Sequence, residues 1–205
     1  MKLVTALALV IGSAYGATVG FDGNRFQNAP TPNCGTTPGG QTLSTAGANG
    51  NVAFGQGFTV VNVEANRNCK SVNVNVINAG NKNNVAVIQA PRTGSNSRFG
   101  QIASNKKIES FQFACAYFLL GFFLPVDCTL TVYYSSNQVS VSNTGFGSGF
   151  SSVGKTVTAS QNMQTFDFGN RNVQSMSFSV KPGGNGNSGS NPGNLYLLLD
   201  VIETA

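Results

Sequence analysis

Hydrophobic and polar residues alternate along this chain with a period of two. Val72, Val74 and Val76 are separated by Asn73 and Asn75. That spacing predicts a strand with one buried face and one wet face. Residues 58–63 alternate in the same sense. Phe111, Phe113, Cys115 and Tyr117 share one parity, as do Cys128, Leu130, Val132 and Tyr134, and then Met176, Phe178 and Val180. Residues 85–88, 139–141, 156–158 and 165–168 read as shorter strands. Residues 195–202 are apolar at both parities, which predicts a central strand covered on both faces. Turn-forming stretches separate these runs: Gly39-Gly40, residues 145–149, and the low-complexity stretch 182–194. No segment has a helical period. About ten short strands of this kind predict an all-β fold, a single antiparallel β-sandwich of the jelly-roll type.

One segment breaks the rule that turns are polar. Between Cys115 and Cys128 the chain reads AYFLLGFFLPVD. Tyr117, Phe118, Leu119, Leu120, Phe122, Phe123 and Leu124 stand where a polar loop is expected. The run is too short to span a bilayer. Either it folds back and caps the core, or it is an exposed tip that meets a membrane, a protein partner or a second copy of the chain. Leaving five such side chains in water forgoes about 10 kcal/mol of burial. An exposed tip therefore requires a partner.

The first sixteen residues have the form of a secretory signal: Met1-Lys2, an apolar run over 3–11, and Ala14-Tyr15-Gly16 before the expected cleavage. Residues 17–205 are then one domain, expected to be secreted and extracellular or cell-wall associated, with no transmembrane segment. In an oxidising compartment the four cysteines, Cys34, Cys69, Cys115 and Cys128, are expected to pair. Cys115 and Cys128 both sit at inward parity, which favours Cys115–Cys128 and leaves Cys34–Cys69. Closing the shorter loop stabilises by roughly 3 kcal/mol.

Charge narrows the partners. Formal net charge is +5 from twelve basic and seven acidic residues, with no histidine. The basic residues are scattered, so no nucleic-acid footprint is expected. Without histidine, Ser-His-Asp and Cys-His catalysis are excluded. The only acids close in sequence, Asp200 and Glu203, have opposite parity on a regular strand, so no carboxylate pair is expected to converge and the protein is read as no enzyme. None of the 25 asparagines begins an N-x-S/T sequon, so loops are expected to carry no N-glycan.

The motif Phe111-Gln112-Phe113-Ala114-Cys115, followed by Pro125-Val126-Asp127-Cys128-Thr129-Leu130-Thr131-Val132, resembles a group of secreted fungal proteins of about 200 residues, mostly uncharacterised. Phe21-Asp22 and Leu197-Leu198-Leu199-Asp200 fit the same resemblance. It implies a jelly roll similar to carbohydrate-binding modules, and hence a secreted, non-enzymatic binding module for polysaccharide or cell wall. In such relatives the loop between the two cysteines is polar, and here it is apolar. The alternative function is a secreted effector that engages a protein, a homodimer partner or a membrane through loop 116–125.

Two weaker sites complete the expectations. Sugar sites use aromatic faces surrounded by polar side chains. With no tryptophan, Tyr133 at outward parity and Tyr196 are the candidates. No cofactor is required. A structural calcium held by Asp22 and Asp200 is the one metal considered, since calcium takes carboxylates with backbone and asparagine carbonyls. The competing reading for Asp200 is a carboxylate bonded to backbone amides or paired with Arg25.

Overall fold

The structure is a computed structural model of the 205-residue chain. It describes residues 17–21, 41–43, 51–63, 77, 84–91, 97–119, 121–137, 150–160, 162–183 and 194–205. The expected signal segment, the strands at 72–76 and 139–141, and Asp22, Cys34, Cys69 and Leu120 lie outside them.

Thirteen strands follow one another in the described residues, with no helix: β1 (Ala17–Val19), β2 (Gln41–Thr42), β3 (Val52–Phe54), β4 (Thr59–Asn62), β5 (Asn84–Gln89), β6 (Phe99–Ser104), β7 (Ile108–Leu119), β8 (Phe122–Pro125), β9 (Cys128–Ser135), β10 (Ser151–Val157), β11 (Gln164–Asp167), β12 (Ser175–Pro182) and β13 (Leu195–Thr204). They form two antiparallel sheets. The larger runs β11-β7-β13-β5-β4-β2, with β1 on β13 and β8 on β7. The smaller runs β10-β9-β12-β6-β3. The chain crosses between the sheets repeatedly, as in the expected jelly-roll sandwich. No helix among the described residues is long and apolar enough to cross a membrane.

The alternation seen in the sequence becomes the inner faces of the two sheets. Phe111 and Phe113 of β7, Leu130 and Val132 of β9, and Met176 and Phe178 of β12 all enter one inter-sheet core. Phe111 sits at its centre, stacked on Phe166 at 5.2 Å and edge-on to Phe178 at 5.9 Å. The Cys115–Cys128 disulfide forms as expected and ties β7 in one sheet to β9 in the other. The Cys34–Cys69 expectation lies outside the described residues.

β13 lies between β7 and β5 and is buried along most of its length. Leu195, Leu197 and Leu199 face the inter-sheet core. Tyr196 and Leu198 face the other way, into a second apolar cluster with Val61, Val85, Val87, Phe118 and Phe123. The larger sheet is therefore covered on both sides, which explains why residues 195–202 are apolar at both parities.

Candidate functional site

The outer face of the smaller sheet is the polar counterpart of that core. Thr129, Thr131, Tyr133 and Ser135 of β9 alternate with its inward residues and lie across from Lys181, Ser179, Ser177 and Ser175 of β12. On the other side β10 sets Ser152, Gly154 and Thr156 opposite Tyr133, Thr131 and Thr129. The Thr129 and Thr156 hydroxyls are 3.1 Å apart, which confirms that they share this face. Tyr133 is thus an aromatic ring set in a field of hydroxyls, at the outward parity its sequence position predicted.

Arg98 covers that ring. Its guanidinium carbon lies 4.0 Å from the Tyr133 ring centroid and 5.6 Å from that of Phe150. A cation held over an aromatic face within about 6 Å is attracted by the ring quadrupole. No described carboxylate pairs with Arg98. The ion pair among the described residues is Lys107–Glu109, at 3.6 Å.

A β-bulge puts Arg98 on this face. In the β12–β6 ladder Ser177 pairs with Gln101, but Phe178 pairs with Phe99, so Gly100 is an extra residue. Ile102 and Phe99 consequently both point into the core, and Arg98 emerges on the outside. Regular alternation from Ile102 would have turned Arg98 inward. Gly100 has φ +60°, and a Cβ there would lie 2.9 Å from Phe58 and 3.0 Å from Ile88. The position thus excludes a side chain twice over.

Ser177 lies beneath this face. It lies directly across from Tyr133 on one side and Gln101 on the other. It is fully buried, and its hydroxyl has no hydrogen-bond partner. Such a group costs about 1–3 kcal/mol when left unpaired, so it keeps hydrogen-bonding capacity beside Tyr133.

Charge is divided between the two sheets. None of the strands of the smaller sheet contains Asp or Glu, and they carry Lys155 and Lys181. The larger sheet carries Glu109 on β7, Asp167 on β11, and Asp200 and Glu203 on β13.

The expected loop 116–125 is instead a hairpin. β7 runs on through Leu119, the chain turns at Gly121, and β8 returns with Leu119 opposite Phe122, Phe118 opposite Phe123 and Tyr117 opposite Leu124. The strand–loop–strand reading is corrected because apolar alternation continues to the turn and the ladder continues with it. The two faces differ. Phe118 and Phe123 are buried, with rings 5.0 Å apart, and the backbone N–H of Ile77 donates to the Phe123 carbonyl at 3.0 Å. On the opposite face Tyr117, Phe122 and Leu124 are half-buried, and Leu119 is 50% exposed.

Tyr196 is not placed for a ligand. It is buried, edge-on to Phe118 at 6.1 Å and to Phe123 at 5.8 Å, and burial raises its phenol above the ordinary value of 10.0. It belongs to the second cluster. Its position in a strand apolar at both parities was the available signal.

The acids on β13 are arranged differently from the sequence expectation. Val201 has φ +39° and the β7 ladder shifts there, so Asp200 pairs with Gln112, Ile202 with Phe111 and Glu203 with Ser110. One inserted residue flips parity, and Asp200 and Glu203 share the outer face of the larger sheet instead of opposing each other. Each carboxylate is engaged: Asp200 accepts from the Val201 N–H at 2.8 Å, and Glu203 from the Ser110 hydroxyl at 2.7 Å. Among the described residues no group of three or more His, Cys, Asp or Glu could hold a metal ion. Asp22, the other expected calcium ligand, lies outside them. A cavity between Phe113, Cys115, Val157 and Gln164 has a volume of about 10 Å³, room for about one water and too small for a sugar ring.

No protein-family model and no curated protein matches the chain. Three solved structures resemble it in outline. A DUF4465 family protein from Bacteroides caccae is 14% identical over 98% of both chains, with TM-score 0.49. TmCBM61, solved with β-1,4-galactotriose, is 12% identical over 74% of this chain and 85% of its own, with TM-score 0.33. The K2 cleaved adhesin domain of Lys-gingipain is 14% identical over 82% of this chain and 98% of its own, with TM-score 0.38.

The sequence placed Tyr133 at outward parity, where the structure has it, and did not single out its neighbours Arg98 and Phe150. The available signal was Gly100, a glycine inside a strand pattern, which marks a bulge.

Proposed function

We propose that the protein is a secreted, non-enzymatic module that binds polysaccharide on the outer face of its smaller sheet. The observation that carries this reading is the convergence of the half-buried Tyr133, Arg98 and Phe150 beside the exposed Ser152, Gly154 and Thr156 of β10. Sugar rings present apolar C–H faces and hydroxyl edges. The aromatic carbon of Tyr133 and Phe150 suits the first, and the exposed hydroxyls of Ser152 and Thr156 suit the second. The resemblance of the 111–132 motif to secreted fungal jelly rolls supports the same ligand class and a place at a cell wall.

The test is co-sedimentation of the full chain with chitin, β-glucan and pectin. The expected result is depletion from the supernatant on at least one polymer, reversed by Tyr133→Ala with the fold intact. Protein that stays in the supernatant on every polymer overturns the reading.

The hairpin supports a second reading. Leu119 is the exposed large hydrophobic residue among those described, flanked by Tyr117, Phe122 and Leu124. This face suits a protein partner, a second copy of the chain or a membrane surface. It predicts that Leu119→Ser with Phe122→Ser abolishes dimerisation or liposome binding while the melting temperature holds. A wild-type chain that is monomeric and ignores liposomes removes it.

A further inference from the structure

We infer that the ligand is an acidic polysaccharide, and that Arg98 is the residue that reads its anionic group. The inference rests on the glycan-binding reading above and narrows it to polymers bearing carboxylate or sulfate.

Three observations meet at Arg98. The first is how it is held. Its guanidinium carbon lies 4.0 Å from the Tyr133 ring centroid and 5.6 Å from that of Phe150, and aromatic carbon takes none of its N–H donors. A guanidinium offers five donors in a rigid fork, matched to the two oxygens of a carboxylate or sulfate. Contact with two rings also restrains the guanidinium before a ligand arrives, so less ordering remains to be done on binding.

The second is what it lacks. No described side chain or carbonyl accepts from the guanidinium, and no described carboxylate neutralises it. A structural arginine on a strand face is ordinarily answered by an acid. Among the described acids, Glu109, Asp167, Asp200 and Glu203 lie on the other sheet, and Asp127, just before β9, accepts from the Ala159 N–H instead. Lys181 adds a further positive charge to the same outer face as Tyr133. Arg98 and Lys181 thus set two cations against the single carboxylate of Asp127, a balance that favours an anion.

The third is the neighbouring strand. Ser152 of β10 lies directly across from Tyr133, and it and Thr156 are exposed, so their hydroxyls can bond a ligand oxygen. A neutral sugar can use those hydroxyls. Only an acidic one uses the arginine fork as well.

The test compares matched pairs of polymers on the full chain at constant ionic strength: polygalacturonate against its methyl ester, and dextran sulfate against dextran. The acidic member of at least one pair should bind roughly 10- to 100-fold more tightly, the factor expected for hydrogen bonds to a charged group. Preference in the first pair alone assigns a carboxylate, in the second alone a sulfate. Arg98→Gln should abolish the preference, and Arg98→Lys, which keeps the charge without the fork, should restore part of it. Lys106→Gln removes a charge from the exposed turn between β6 and β7 and should leave the preference intact. Equal binding of acidic and neutral members overturns the inference and leaves the glycan reading standing. A preference that survives Arg98→Gln, or that Lys106→Gln removes equally, also overturns it. Failure to bind any of the four polymers, chitin or β-glucan overturns both.

Discussion

The bulge at Gly100 can be tested by adding a single methyl group. Gly100→Ala keeps φ near +60°, a conformation that costs an L side chain about 1–2 kcal/mol. It also drives the new Cβ to 2.9 Å from Phe58 and 3.0 Å from Ile88. Both are core residues, so neither can swing into solvent. Overpacking of this kind costs about 1–3 kcal/mol, which makes the total about 2–5 kcal/mol. Gly169 supplies the control: it has the same φ of +60°, but a Cβ there meets nothing within 4 Å. Gly169→Ala should therefore lose only the backbone term. At about 2–4 °C per kcal/mol for a chain of this size, the two variants should differ in melting temperature by about 2–12 °C. Thermal unfolding followed by circular dichroism measures the gap. If Gly100→Ala melts as high as Gly169→Ala, Phe58 and Ile88 do not grip the bulge, and the placement of Arg98 loses its structural basis.

Two further outcomes follow from the larger sheet. Phe123→Ala should destabilise by about 3–5 kcal/mol because its ring is buried against Phe118 and Tyr196, while Leu119→Ser should change stability by no more than about 0.5 kcal/mol; equal effects in denaturant unfolding would show that the hairpin faces are not distinct. Burial raises the Tyr196 phenol above 10.0, so the folded state holds this proton to higher pH than the unfolded chain does. Its contribution is complete below about pH 10 and is lost as pH rises through the raised value, with a slope of at most about 1.4 kcal/mol per pH unit. Tyr196→Phe should remove that part of the alkaline loss, and identical profiles in the two proteins would contradict the buried placement.

The two-residue alternation carried most of the architecture. In β9 and β12 every inward and outward residue is where its parity puts it, and from that followed the Cys115–Cys128 bridge and the outward Tyr133. Parity fails wherever one residue is inserted. The bulge at Gly100 brought Arg98 outside, and the shift at Val201 moved Asp200 and Glu203 to a common face. Gly100 hints at the first, as a glycine inside a strand pattern, but Val201 gives no such sign, because a bulge is a property of two strands in register. The apolar segment 116–125 misled for a different reason. It looked like an odd loop because both of its faces are apolar. One face is packed by Ile77 and Tyr196, residues distant in sequence whose approach only the fold defines.

The most direct test of the binding face is an amide chemical-shift titration of the isotope-labelled full chain with a soluble oligogalacturonide. Binding on this face predicts saturable shifts centred on Arg98, Tyr133 and Ser152, with residues 117–124 unmoved. Shifts centred on the hairpin, or on the outer face of the larger sheet around Asp200 and Glu203, would contradict it.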